Sequence, residues 1–400
     1  MVAERNPFIV RQLARGEHFA NREHEVTRMI SALRDPGAGI MVYGHRRLGK
    51  SSALERAAEE VREGGGHAVV ASLATATDAA DAARRVLEAV QRQVGRSGRE
   101  IVESIVGRLQ ATMEIQPSAI PGEMPAVRII FGQPDKSPSI QLLPDILTGI
   151  DAEMRRRGRV LGLGLDEFQR IHAWGGEDAE WALREAIQRH EALGYVLAGS
   201  QRGLIEAMVT GRGRAFWKMF DILDFGAIDD GVLANWICSQ ARRTGIRLER
   251  QASERIIELA RPRTRDVVQL ARETWSRAAG GGATVAAVVD EAFEAVVDAQ
   301  GAVYQKLWMG ISATQQRVLQ VVAVDPSIPL TARETLDRYR LGPKSTAHKA
   351  AEALVKAEHL VNIPGAGYRF DDPFFERWIQ HNVLDDIGQP VPPLRARGVG

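Results

Sequence analysis

Eight residues constrain this chain more than any others: Gly44-His45-Arg46-Arg47-Leu48-Gly49-Lys50-Ser51. They match G-x-x-x-x-G-K-[ST] without a departure, between an apolar run at Gly39–Tyr43 and a helical pattern from Lys50 to Glu63. The two glycines let the backbone curl until successive N–H groups converge on an anion. The helix that follows adds the partial positive charge of its N-terminus at the same point. Lys50 is expected to reach the β- and γ-phosphates of ATP, and the Ser51 hydroxyl to ligate Mg²⁺. The run His45, Arg46, Arg47, Leu48 and Gly49, with Ser52 beyond it, is expected to line the phosphates. A chance glycine-rich turn has no need of a strand before it and a helix after it.

The surrounding pattern alternates strand and helix, as a mostly parallel, doubly wound sheet requires. Gly64-Gly65-Gly66 ends the helix, and His67–Leu73 reads as a second buried strand. Ala74–Val94 has helical spacing. The stretch from Gly95 to Pro144, broken by prolines, gives the weakest pattern, and a hairpin of Val127–Phe131 with Ser139–Leu142 is the expectation there. Pro144–Arg157 predicts a helix, Val160–Leu165 a strand, Asp178–Leu193 a helix and Tyr195–Ala198 a strand. From about Asp229 the chain turns helical, at Gly231–Thr244, Ser253–Ala260, Arg265–Ala279 and Thr284–Leu307. The expected domains are a P-loop core at 1–228, a helical lid at 229–308, a winged helix-turn-helix at 309–385 and a flexible tail at 386–400.

Bulk properties exclude some alternatives. With 400 residues, two or three domains are expected rather than one core. A net charge of +1 argues against a globally basic nucleic-acid binder, though not against a local basic face. Cys238 is the only cysteine, so no internal disulfide can form, and it reads as an inert buried thiol. The first residues carry no signal-like apolar stretch, and no apolar run is long enough for a bilayer. A cytoplasmic protein without membrane contact is the expectation. His18, His24 and His190 lack metal-ligand spacing. Phe216, Trp217, Phe220 and Phe225 read as core, and Trp236, Trp275, Trp308 and Trp378 as helix-packing anchors.

A phosphate-binding loop needs a carboxylate for Mg²⁺ and a group that orients the attacking water. Asp166-Glu167, at the end of the apolar strand Val160–Leu165, supplies both. Side chains alternate along a strand, so adjacent acids at its tip can serve different partners. Asp166 is assigned to the metal and Glu167 to the water. At the tip of the next strand, Ser200 is the candidate for contacting the γ-phosphate or the water, ahead of Gln201 and Arg202.

With these residues in view, the chain resembles the prokaryotic "archaeal ATPase" family, AAA+/STAND P-loop ATPases distantly related to the origin-recognition initiators. The matching pieces are Phe19–Glu25, Tyr43–Ser51, Leu165-Asp166-Glu167-Phe168-Gln169, Leu197–Arg202 and Gly367–Pro373. The resemblance implies an α/β fold: an AAA+-type parallel-sheet core, a helical lid and a C-terminal winged-helix domain. It also implies that the Phe19–Glu25 region, Arg22 included, lies near the adenine. In related ATPases a lid residue contacts the nucleotide through an arginine or a Gly-x-Pro turn. This chain reads Ala260-Arg261-Pro262-Arg263-Thr264-Arg265-Asp266, so Arg263 and Arg265 are the lid candidates. Arg184, Arg189, Arg212 and Arg214 are candidates for an arginine finger acting in trans.

Near the C-terminus, Thr331-Ala332-Arg333-Glu334 reads as a capping box opening a helix. Lys344–Ala357 is the next helix, and Leu360–Ile363 with Tyr368–Phe370 make a wing. Lys344, Ser345, Thr346, His348 and Lys349 would face a DNA major groove, with Arg338, Arg340 and Arg369 near phosphates. Glu352, Glu358, Asp371 and Asp372 temper that charge. Two functions follow: an ATP-controlled switch associating with double-stranded DNA, or a STAND-type signalling or defence switch that self-associates on binding ATP. A processive motor is the third reading.

Overall fold

The computed structural model describes residues 5–10, 12–13, 16–108, 112–116, 126–130, 140–278, 286–385 and 391–394. They form two compact units, one of Leu13–Gly226 and one of Met1–Gln12 together with Ala227–Gly400. The backbone therefore passes between the units twice, after Gln12 and after Gly226.

The first unit runs α1 (Glu23–Arg34), β1 (Gly39–Tyr43), α2 (Lys50–Glu63), β2 (His67–Ser72), α3 (Ala79–Gln93), α4 (Gly95–Arg108), β3 (Thr112–Gln116) and β4 (Ala126–Ile130). It continues with α5 (Leu142–Arg156), β5 (Leu161–Asp166), α6 (Arg170–Ile187), β6 (Leu193–Gly199), α7 (Arg202–Thr210) and β7 (Asp221–Asp224). Five strands make one sheet in the order β2-β5-β6-β1-β7, and every pairing in it is parallel. Helices cover both faces, so the strands read as apolar runs rather than alternating ones. The pleat still sorts them: Ile40 and Val42 join the apolar layer of Val26, Met29, Leu33, Leu54 and Ala57. Met41 and Tyr43 join the opposite layer, with Val86, Leu87, Ile146 and Leu147.

Several expectations are corrected. Residues 74–78 are not helical; α3 starts after Asp78, whose carboxylate accepts from the Asp81 N–H at 2.8 Å. The hairpin pairs 126–130 with the earlier segment 112–116, not with a later one. Leu142 instead opens α5, while Phe131 and Ser139 lie outside the described residues. Helix α6 begins at Arg170, eight residues before the predicted start, and bends at Gly176 (φ 56°). Leu193 belongs to β6. Helix α7 and the edge strand β7 were not foreseen. Trp217 is exposed, although Phe216, Phe220 and Phe225 are core.

The second unit contains α8 (Asp230–Arg243), α9 (Arg250–Ala260), α10 (Thr264–Ala278), α11 (Ala286–Ala299) and α12 (Gly301–Met309). The chain breaks helix at Gln300, so 284–307 is not one helix. Then come α13 (Ala313–Val324), α14 (Arg333–Arg338), α15 (Lys344–Lys356), β8 (Leu360–Ile363), β9 (Gly367–Phe370) and α16 (Pro373–Ile379). Three helices followed by an antiparallel β8–β9 wing make a winged helix. The predicted capping box fails: Ala332 caps α14 and makes no side-chain bond. Ser312 and Gln315 form one at α13 instead, with Gln315 Oε1 accepting from the Ser312 N–H at 3.2 Å.

The winged helix is fastened to the preceding helices by charge and by aromatic packing. Arg263 and Asp371, both buried, form an ion pair. Arg377 of α16 pairs with Glu294 of α11 at 2.8 Å. Tyr304 packs against Phe375 with ring centroids 5.3 Å apart, and Phe293 against Phe374 at 4.9 Å. The N-terminal segment is bound into the same unit. Asn6 Nδ2 donates to the Arg272 carbonyl at 3.0 Å, Arg272 donates to the Phe8 carbonyl at 2.8 Å, and the buried Phe8 ring meets Trp236 edge-on. Cys238 is half-buried, its Sγ 3.5 Å from Ser253 Oγ.

Candidate functional site

The loop Gly44–Gly49 joins β1 to α2, and two backbone features explain its glycines. A Cβ on Gly44 would lie 2.3 Å from the Phe225 carbonyl oxygen, because Phe225 donates its N–H to the Tyr43 carbonyl at 2.7 Å. Gly49 has φ +100°, where a side chain is strained. Its carbonyl accepts from the Ala53 N–H at 2.9 Å, the first helical bond of α2. Lys50 follows, almost fully buried, and its Nζ donates to the carbonyls of Gly44 at 2.8 Å and His45 at 2.7 Å. The ammonium is thereby held across the mouth of the loop. Leu48 is buried, whereas Arg46 and Arg47 are exposed and His45, Ser51 and Ser52 are half-buried.

Strand order does the rest. Because β6 lies between β5 and β1, the tip of β6 stands between the acidic end of β5 and the loop after β1. Ser51 Oγ donates to Asp166 Oδ2 at 2.7 Å. Burial raises the Asp166 carboxyl above its ordinary value, and the Ser51 hydroxyl opposes that shift. Asp166 Oδ1 accepts from the Glu167 N–H at 3.0 Å. Glu167 sits in the left-handed region (φ 55°), uncommon for a residue with a side chain. Its Oε2 accepts from Ser200 Oγ at 2.7 Å and from the amide of Gln169. Arg46 Nε reaches Ser200 Oγ at 3.5 Å. Lys50, Ser51, Asp166, Glu167 and Ser200, predicted from separate stretches, are thus brought together.

A hydroxyl and a carboxylate oxygen in contact, beside a loop built for anions, is the donor set a hard divalent cation takes up together with phosphate oxygens and water. The residues present therefore fit Mg²⁺ and a nucleotide.

Other predicted residues have contacts of their own. Arg22 turns inward: it pairs with Glu25 at 2.8 Å, donates to the Gly226 carbonyl at 2.6 Å and lies 4.2 Å from the Phe225 ring centroid. Burial pushes its guanidinium below the ordinary value, against the hydrogen bond it donates to Glu25. Among the arginines weighed as fingers, Arg184 donates to the Ala215 carbonyl, Arg189 pairs with Glu185 at 2.9 Å, and Arg214 holds the buried Glu180 at 2.6 Å. Arg212 is exposed. Of the lid candidates, Arg263 is committed to Asp371 and Arg265 is exposed. On α15, Lys344, Ser345, Thr346, His348 and Lys349 are all exposed, while Ala347, Ala350, Ala351 and Leu354 are buried. His348 lies 3.2 Å from Glu352 on the same face.

The residue that sequence reasoning passed over is Gln169. It stood inside a quoted motif, but an amide neither titrates nor ligates Mg²⁺ readily, so nothing in its type marked it out.

The fold and this constellation define an AAA+-type P-loop ATPase fold carrying a C-terminal winged helix. Residues 302–381 match a family described as a probable winged helix domain. The chain is similar to the Walker-type ATPase of Pyrococcus abyssi, with a TM-score of 0.63, 16% identity, and coverage of 94% of this chain and 99% of that one. It is also similar to the ORC2 protein of Aeropyrum pernix, solved as ADPNP–ADP complexes (TM-score 0.57, 16% identity, 96% and 97% covered). The A. pernix ORC1 protein in complex with DNA is a third (0.51, 13%, 93% and 95%). No curated protein matches the sequence. The resemblance to archaeal ATPases and origin-recognition proteins drawn from the motifs agrees with these neighbours. Among the described residues, no helix is long and apolar enough to cross a membrane.

Proposed function

We propose that this chain binds ATP with Mg²⁺, hydrolyses it slowly, and couples its nucleotide state to association with double-stranded DNA through α15. The observation that carries this reading is the meeting of Lys50, Ser51, Asp166, Glu167 and Ser200 at the carboxyl ends of β1, β5 and β6. Loop N–H groups and Lys50, released from the carbonyls it now serves, hold the phosphates. Ser51 and Asp166 would hold Mg²⁺, which supplies charge neutralisation at the phosphates. Glu167 orients the attacking water through its second carboxylate oxygen, and Ser200 links that carboxylate to Arg46 at the loop. Slow turnover follows from the arginines. Arg184, Arg189 and Arg214 have partners within the chain, which leaves the exposed Arg212 among the four candidates, and without a transition-state arginine phosphoryl transfer is slow. The DNA-bound ORC1 neighbour and the exposed polar face of α15 support the duplex partner.

A second reading, a STAND-type switch that self-associates on ATP and uses the winged helix for protein contacts, is favoured by the acid on the same face, since the exposed Glu352 beside His348 would face duplex phosphates with like charge. ATP hydrolysis by the wild type, Lys50→Ala and Glu167→Gln, with and without duplex DNA, separates the two. Lys50→Ala is expected to lose nucleotide binding, and Glu167→Gln to bind ATP while turning over about 100-fold more slowly. A rate raised by duplex supports the first reading. A rate indifferent to duplex, with ATP-dependent assembly of Glu167→Gln, supports the second. Unchanged hydrolysis in both variants would remove the site.

A further inference from the structure

We infer that Gln169 is the positioning residue for Glu167, holding that carboxylate by one oxygen so that the other stays open to water. The inference rests on the proposed ATPase reading for its function and on contacts within Leu13–Gly226 for its geometry.

Glu167 is the residue the proposed reaction asks most of, yet its own backbone does not hold it comfortably. At φ 55° it occupies a region that non-glycine residues enter only when their surroundings fix them. The backbone is held by Asp166 Oδ1, which accepts from the Glu167 N–H at 3.0 Å, and by the Arg170 N–H, which donates to the Glu167 carbonyl at 3.0 Å. The side chain is held by the Ser200 hydroxyl, 2.7 Å from Oε2, and by the Gln169 amide on the same oxygen. Gln169 Nε2 also lies 3.3 Å from Ser200 Oγ, so the three side chains close a ring. Gln169 is only 3% exposed.

An ionised carboxylate only accepts hydrogen bonds, so the NH₂ end of the amide must face Glu167 and its carbonyl must face away. That carbonyl, Gln169 Oε1, is buried and has no hydrogen-bond partner. An orphaned buried acceptor costs stability, and with Glu167 in place the hydrogen bond at the other end of the amide offsets that cost. The residue makes physical sense through what its other end does. The space for Oε1 comes from Gly199: a Cβ there would stand 2.4 Å from it and 2.8 Å from Ile205. The last residue of β6 thus makes room for the amide that steadies the acid beyond β5.

The test is a pair of mutant cycles. In steady-state ATP hydrolysis, Gln169→Leu is expected to lower kcat about 10- to 100-fold while leaving KM and the affinity for a non-hydrolysable ATP analogue unchanged. Gly199→Ala, which displaces Oε1, is expected to do the same more mildly. In a Glu167→Gln background, Gln169→Leu should cost nothing further, because it acts through the missing carboxylate. An unaltered kcat, a raised KM alone, or the same loss in both backgrounds overturns the inference. The second cycle needs no nucleotide. Gln169→Leu should lower the thermal unfolding midpoint when Glu167 is present and not in Glu167→Ala. Equal shifts in both backgrounds overturn the contact. If the wild type fails to hydrolyse ATP, the functional reading fails, and this unfolding cycle alone decides the role of Gln169.

Discussion

Ser51 and Asp166, 115 residues apart in the chain, meet through a 2.7 Å hydrogen bond at the carboxyl ends of the sheet. The acid is nearly buried, and burial raises its carboxyl above the ordinary value. The free protein thus carries a carboxylate that its surroundings disfavour in charged form, beside a second acid at Glu167. Asp166→Asn removes that burden while keeping an acceptor for Ser51. In the absence of nucleotide the variant is expected to melt roughly 2–4 °C above the wild type. Its gain in midpoint on adding ATP with Mg²⁺ is expected to vanish. Calorimetry with and without nucleotide checks both halves.

Arg263 and Asp371 join α10 to the end of β9 out of solvent. Removing one partner strands the other as a buried charge, and losses of about 3 kcal/mol are typical. Arg263→Ala and Asp371→Ala are each expected to destabilise the unit of Met1–Gln12 and Ala227–Gly400 by that order in urea unfolding. Pairing Arg263→Met with Asp371→Leu is expected to recover much of it, since neither charge is then left alone.

Glu153 on α5 is expected to give a pH dependence of opposite origin. Hydrogen bonds from Arg156 and then, against burial, from Arg157 lower its carboxyl from 4.5 to about 2. A carboxyl lowered on folding stabilises above its unfolded value and loses that contribution as pH falls through the folded one. The margin of the wild type over Glu153→Gln is therefore expected to be full at pH 6 and to shrink between about pH 4.5 and pH 2. Urea titrations across that range measure it.

On α15, the exposed Lys344 and Lys349 are the cations available to a duplex at the start of the helix. If each neutralises one phosphate, Lys344→Ala or Lys349→Ala weakens duplex binding. Each is also expected to reduce the slope of log K against log salt by about 0.9. Fluorescence anisotropy over a salt series checks the slope. Slopes unchanged in both variants would turn the winged helix toward protein contacts.

How far the sequence disclosed this arrangement depends on where the signal is local. Gly39–Tyr43 and Lys50–Glu63 were delimited to the residue, because loop glycines and an apolar-to-helical change of period mark both ends. Strand β7 went unseen: of Asp221-Ile222-Leu223-Asp224 only Leu223 is buried, and four residues at a sheet edge carry too little pattern. The helix expected from Asp178 starts at Arg170 instead, since the chain only kinks at Gly176 and α6 continues on both sides. The pairing of 112–116 with 126–130 is a choice between arms that no local rule makes. For the candidate site, the titratable and loop residues were readable from type and spacing. Gln169 was not, because its importance lies in the direction of one amide and in a space left by Gly199, and both are three-dimensional facts.

The double passage of the backbone between the two units has a topological consequence for anyone altering this protein. Residues 5–10 belong to the helical unit, with Phe8 laid against Trp236 and Asn6 against Arg272. An excised sheet unit, Leu13–Gly226, would keep its own chain whole. An excised helical unit would need two separate peptides, or a new covalent join between Gln12 and Ala227. Replacing 13–226 by a short linker from Gln12 to Ala227 should yield the helical unit as a single self-contained polypeptide.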